Sequence, residues 1–290
     1  MPSFDISRSR FRLADEHLIV LSELATGGEA PDEFTAARRE LADCGLIDAD
    51  GKLSALLLPV MKTVLTPGVV ISLEVAGRQG ALRHGMLIGE EHVVAHEAWP
   101  GETEAEYSCV EPKMLVWKLA DMVNLQRSSA GRPTAGRFPD GRATDLTVVE
   151  TTVRTAEAGL AALEGEWLVR SAAEEREAIH RALAAAGGPG EAELELLAGL
   201  ISGLLSSWRL TSAWQTGYEG RDGAETRGFA VWDCGSLGYW LRELPTEPVP
   251  AERIAPASAF RLVRVDAKTI WTRITELLPD DGELRAAAAR

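Results

Sequence analysis

The chain has 290 residues, 46% hydrophobic and 26% charged, which is the composition of a folded globular protein and not of a disordered one. Aspartate and glutamate outnumber lysine and arginine 44 to 30, for a formal net charge of −14. That balance argues against a nucleic-acid binder, which needs a basic footprint, and against docking on anionic lipid. Cys44, Cys109 and Cys234 form no CxxC pair and no disulfide framework, and read as small thiols of a reducing compartment. Met1–Arg12 carries charges and no apolar h-region, and no apolar run approaches the ~18 residues of a membrane span. The expectation is a cytoplasmic chain with no direct membrane insertion.

In chain order, Ala14–Ala25 has apolar Leu18, Val20, Leu21 and Leu24 near helical spacing, with Asp15 and Glu16 in the first turn. Pro31–Ala42 reads as a second helix. Leu53–Leu65 reads as a third, apolar and buried, with Pro59 predicted to kink it. The period then changes to two. Val69, Ile71, Leu73 and Val75 alternate with Val70, Ser72, Glu74 and Ala76 as a strand. Gly77-Arg78-Gln79-Gly80 is a hairpin-like turn, and strands follow at Arg83–Ile88, His92–Ala98 and Tyr107–Val110. Glu111-Pro112 opens a helix with Leu115, Leu119, Met122 and Val123 on one stripe.

Arg127–Ala143 lacks periodicity and reads as a Gly/Pro/Arg loop or linker. Beyond it, Leu146–Leu163, Ala172–Ala186 and Glu191–Ser206 read as helices. Trp208–Thr216 alternates as a strand, Tyr218–Glu225 is a glycine-rich turn, and Arg227–Trp232 and Leu237–Leu244 are strands. Phe260–Val265 is the last strand, Asp266–Leu278 the last helix, and Asp280–Arg290 a frayed tail.

The order of elements repeats. Val110-Glu111-Pro112 is echoed by Val265-Asp266-Ala267, and Leu115, Leu119, Met122 and Val123 fall at the spacing of Ile270, Ile274, Leu277 and Leu278. The predicted fold is α+β, with two pseudo-symmetric halves, each an antiparallel β-meander flanked by helices. The expected division is residues 1–126, a linker at 127–144, a second half at 145–279, and a tail at 280–290. The halves are expected side by side, joined through the linker.

Candidate chemistry is sparse. His92 and His96 are four apart, but on a strand that separates them by about 13 Å, too far to share one ion. Gly235-Ser236-Leu237-Gly238 lacks the glycine a nucleophile elbow needs two residues before its serine. Gly217, Gly220 and Gly223 precede no helix, so a hairpin tip explains them better than a phosphate cradle. Ala36–Leu58 has a winged-helix rhythm, but Glu40, Asp43, Asp48 and Asp50 would repel phosphates. A hydrolase would need a pocket joining His84, His92 or Cys109 to a carboxylate. No metal or cofactor is expected.

Five of eight tryptophans fall in the second half. Trp208 and Trp214 share one side of their strand, and Trp232 and Trp240 face each other across a hairpin. They either pack a core or line an aromatic face that accepts a partner.

The opening Phe4–Phe11 stretch feeding a helix, the hairpin over Trp208–Leu244 and the closing Phe260-Arg261-Leu262-Val263 strand with its helix to Leu278 together resemble the EspG family of type VII (ESX) secretion chaperones of actinobacteria. The resemblance is one of layout across nearly the whole chain. It implies a cytosolic, non-enzymatic α+β protein of two related halves that binds the helical tip of a PE–PPE heterodimer before export. A WXG100-like helical substrate fits the same description, and a second copy of the chain is a further partner to consider. No family contact residue carries over. The residues singled out on physical grounds are Arg78, Gln79 and Tyr218 in the turns after the first strand of each half, and Trp214, Trp232 and Trp240 on the sheet. The alternative is a winged-helix transcriptional regulator with a C-terminal α+β sensing domain.

Overall fold

The computed structural model of the chain describes residues 1–77, 80–125, 136–138, 143–164, 171–216, 223–244, 253–280 and 282–283. The first half runs β1 (Ser3–Asp5), β2 (Arg10–Ala14), α1 (Asp15–Ala25), α2 (Thr35–Asp43), α3 (Leu58–Leu65), β3 (Val69–Gly77), β4 (Gly80–Ile88), β5 (Val93–Glu97), β6 (Glu104–Val110) and α4 (Leu115–Met122). A two-stranded ribbon of β7 (Gly136–Arg137) and β8 (Ala143–Thr144) follows. The second half runs β9 (Val148–Thr152), α5 (Val153–Glu164), α6 (Ala172–Ala185), α7 (Glu191–Ser202), β10 (Ser206–Thr216), β11 (Gly223–Asp233), β12 (Tyr239–Arg242), β13 (Ala259–Val265) and α8 (Ala267–Glu276).

Eleven strands form one antiparallel sheet in the order β1-β2-β6-β5-β4-β3-β10-β11-β12-β13-β9. The join between the halves is therefore a β-ladder, running from Ser206 opposite Gly77 to Trp214 opposite Val69. Outward from that seam, β3-β4-β5-β6-β2 on one side meets β10-β11-β12-β13-β9 on the other.

Three helical layers cover the sheet. α4 and α8 lie together on one face at the centre, where Leu115, Leu119, Ile270 and Ile274 pack on Ile71, Leu73, Leu210 and Val231. Among the described residues, the other face is covered only at its ends. There α1–α3 pack on Leu13, Val94 and Tyr107, and α5–α7 pack on Val149, Trp240 and Leu262. Consecutive residues prove the two-sidedness: Val93 joins the central core and Val94 the first-half core, while Val231 and Trp232 divide likewise.

Several expectations change. The stretch predicted as a helix from Leu146 splits into β9 and then α5, because the β-branched run Val148–Val153 completes the sheet edge beside β13. Pro59 does not kink α3. The helix begins at Leu58, so Pro59 sits in its first turn, where no amide hydrogen is needed. The N-terminal stretch is a hairpin, with Phe4 opposite Phe11. Of the stretch read as linker, the ribbon and Phe138 are ordered against the second half, and Phe138 is buried beside α7. A Cβ at Gly199 would come within 2.6 Å of the Phe138 ring, so glycine makes that contact possible. The remainder of that stretch, and most of the tail, lie outside the described residues.

Candidate partner-binding site

The uncovered part of the second face lies between the α1–α3 and α5–α7 layers and is floored by β4, β3, β10 and β11. Strand β3 shows why it is open: Val69, Ile71 and Leu73 are buried under α4 and α8, while Val70, Ser72, Glu74 and Ala76 are exposed. On β10, Arg209 and Gln215 face the same way, and on β11 so do Ala224, Thr226 and Gly228. Period two thus puts greasy residues on one side and small or polar ones on the other.

The register sorts this floor into rows. One row is small: Gly85, Ser72, Thr211 and Gly228 lie side by side. Gly85 is required there, since a Cβ would lie 2.7 Å from the Ile71 carbonyl oxygen. The neighbouring row runs Arg83, Glu74, Arg209, Ala230 and Arg242, one residue from each of five adjacent strands. A pocket of about 340 Å³ opens over that row, with Trp232, Leu82 and Leu244 among its walls. Glu74 and Arg83 are 3.9 Å apart and both well exposed, a loose pair of small energetic weight. Arg242 is half-buried, with its guanidinium carbon 4.7 Å from the centre of the Phe260 ring. Burial pulls the Arg242 pKa below the usual arginine value, the Arg209 charge pulls it the same way, and Glu157 opposes them.

Arg78, Gln79 and Tyr218, the turn residues singled out from sequence, lie outside the described residues. The three tryptophans are core residues and do not line an open face. Trp214, Trp232 and Trp240 are 3%, 6% and 0% exposed. Trp214 is under α8, where the Arg227 guanidinium stacks on it at 4.9 Å. Trp232 does stand opposite Trp240, but α5–α7 cover the pair. Trp240 donates its indole N–H to the Leu237 carbonyl at 3.1 Å. A partner cannot reach the Trp214 and Trp240 rings without displacing helices, and Trp232 offers only an edge to the pocket over the floor row. The floor row that replaces them in the site escaped sequence reasoning, although charged residues on the exposed phase of Glu74, Arg83 and Arg209 were a usable signal.

The other candidates do not converge. His84 Nδ1 accepts the Ala98 N–H at 3.2 Å, and burial lowers its pKa. His96 lies against Tyr107, ring centres 5.0 Å apart, and burial lowers its pKa too. The side chains of Gly85's neighbours His84 and Gly85's partner His96 belong to opposite faces, because His84 pairs with Leu73 and His96 with Gly85. Among the described residues, His92 reaches no carboxylate closer than Glu91, at 3.9 Å. Burial raises the thiol pKa of Cys44, Cys109 and Cys234, the direction away from a reactive thiolate. Among the described residues no group of three or more His, Cys, Asp or Glu is placed to hold a metal ion, and no helix is long and apolar enough to cross a membrane. The winged-helix rhythm is present as α2, an Ile47–Leu53 bridge and α3, but its apolar side packs into the first-half core with Leu41, Leu46 and Val60.

No family model matches the sequence, and no curated protein matches it. Among solved structures, the chain is similar in fold to the type VII secretion system chaperone EspG5 of Mycobacterium tuberculosis, determined in complex with a PE25–PPE41 dimer. The TM-score is 0.52 at 11% identity, over 93% of this chain and 97% of that one.

Proposed function

We propose that this chain is an EspG-like chaperone: a non-enzymatic cytoplasmic protein that holds a helical secreted heterodimer of the PE–PPE kind before export. The observation that carries the reading is the uncovered central strip. It is a firm, ladder-bonded floor between two helical walls, in a fold matched nearly end to end by a chaperone whose structure contains such a dimer. Floor rows on one face are about 7 Å apart, so an α-helix about 10 Å across spans two of them. The repeated order of elements fits an ancestral duplication, with the seam at the Leu73–Leu210 pair. Superposing β2 through α4 on β9 through α8 tests that origin.

The functional test is co-expression with a PE–PPE heterodimer, followed by gel filtration. The reading expects a three-chain complex. It also expects that Ser72→Arg and Thr211→Arg, which fill the small row, abolish the complex without lowering the free chain's Tm. A heterodimer that stays apart from the wild-type chain, with either subunit order, contradicts it.

A further inference from the structure

The arginine row on the strip floor has more positive charge than its surroundings use. Three guanidiniums, those of Arg83, Arg209 and Arg242, meet one carboxylate, Glu74, in a chain whose net charge is −14. Among the described residues, Glu74 and Arg83 form one loose ion pair, and neither Arg209 nor Arg242 has an ion pair at 4 Å or less. Arg242 lies over the Phe260 ring with no carboxylate within 4 Å among the described residues; Arg209 adds to the positive field on it and the more distant Glu157 offsets part of that field. No two of these arginines are direct cross-strand partners, but the row carries three positive charges against Glu74, so a counter-charge from outside would be favourable.

We propose that this pocket takes a single carboxylate, the side chain of an acidic residue projecting from a bound helix. The inference rests on the helical-partner reading and specifies its chemistry. The pocket walls favour a carboxylate on a short apolar stem: Trp232 and the alanines of β3 and β4 supply apolar surface beside the guanidiniums. A phosphate site usually recruits free backbone N–H groups from a helix N-terminus or a nest. Here Glu74, Arg209 and Ala230 sit in register within the ladder, and their backbone groups face neighbouring strands, not the pocket. The chain's overall negative charge repels polyacidic surfaces at long range, which restricts the site to one acidic group docked at close quarters.

The row is also where the two halves depart from each other. Counted outward from Leu73–Leu210, Arg209 holds the place of Ser72, Glu74 that of Thr211, and Arg83 that of Gly228. The charged row and the small row are the same row of the frame, filled in two ways.

The test titrates the full chain with two labelled, capped, alanine-based helical peptides, identical but for a central Glu or Gln between leucines, read by fluorescence anisotropy. The expected result is that wild type binds the Glu peptide at least about tenfold more tightly than its Gln twin. The gap should shrink below about twofold in Arg209→Gln, and in Arg209→Gln/Arg242→Gln if that variant keeps the wild-type circular dichroism spectrum. Equal binding of both peptides to wild type overturns the inference, as does a gap unchanged in Arg209→Gln, or no binding of either peptide at millimolar concentration. Displacement of the Glu peptide by micromolar inorganic phosphate also overturns it, in favour of a small-anion site. If a PE–PPE heterodimer binds wild type and Arg209→Gln equally, only the carboxylate is lost and the helical-partner reading stands. If the Glu peptide binds as expected and no heterodimer does, the reverse holds.

Discussion

Glu111 and Asp266 stand at the same point of the two halves, one residue before the helical segment that closes each, yet only Asp266 caps it. Its carboxylate accepts the Thr269 N–H and hydroxyl at 2.7 Å. Glu111 makes no cap, and Pro112 begins a 3-10 turn ahead of α4 instead. One half secures its closing helix with a side-chain acceptor and the other with a preset φ and a missing amide hydrogen. The cores differ in the same spirit. Counted from the seam, Val94 and Trp240 occupy matching slots, both fully buried, one filled by an aliphatic group and the other by an indole. Segments at the same place in the order of strands and helices thus use different local solutions for packing and capping.

Truncating the matched core slots should give the largest contrast. Trp240→Ala is expected to cost about 3–5 kcal/mol in urea unfolding, since it opens a large cavity and removes an indole donor. Val94→Ala should cost about 2 kcal/mol, at ~0.8 kcal/mol per buried carbon plus a small void. Equal losses would mean that the second-half core collapses around the missing ring. Next comes Arg227→Ala. Arg227 reaches the Glu276 and Leu278 carbonyls at the end of α8, pairs with Glu283 and stacks on Trp214. No counterpart of it secures α4 among the described residues, and its loss should cost about 1–2 kcal/mol.

The caps should give a smaller effect. Asp266→Ala is expected to cost about 1 kcal/mol, and Glu111→Ala to stay within about 0.5 kcal/mol of wild type. The hydrogen bonds from Thr269 hold the Asp266 carboxyl below the usual aspartate pKa. A depressed folded-state pKa contributes stability above the unfolded value, ~3.9, and loses it as pH falls through the folded value. The gap between wild type and Asp266→Ala should therefore close on acidification below about pH 3.9, whereas the Glu111→Ala difference should stay small throughout. The smallest effect is expected from Arg209→Gln on the free chain, within about 0.5 kcal/mol of wild type, because Arg209 is exposed and makes no ion pair among the described residues. A loss above 1 kcal/mol would mean that Arg209 has a structural role.

Much of the frame was legible in the sequence because it is local. Period two marked β3 and β4, the Val-Glu-Pro and Val-Asp-Ala junctions located the two closing helices, and Trp232 and Trp240 fell opposite each other as expected. The edge strand β9 was hidden because its β-branched run continues directly into α5 with no turn residue between them. The seam was hidden for a different reason: Leu73 meets Leu210 across nearly half the chain, and no periodicity encodes a pairing of that separation. The site followed from the seam. Alternation in β3 announced one wet face, but only the joined sheet reveals which part of that face the helices leave bare. Large aromatic residues drew attention to Trp214, Trp232 and Trp240, and their size is the reason they are inside.

The most direct test of the account is side-chain carbene footprinting of the chain alone and bound to a PE–PPE heterodimer. It compares Val70 and Arg209 on the open strip with Met114, just before α4, and Trp117 on α4, all exposed in the free chain. The account predicts that binding suppresses labelling at Val70 and Arg209 and leaves Met114 and Trp117 unchanged. Suppression at Met114 and Trp117 with the strip still labelled would contradict it.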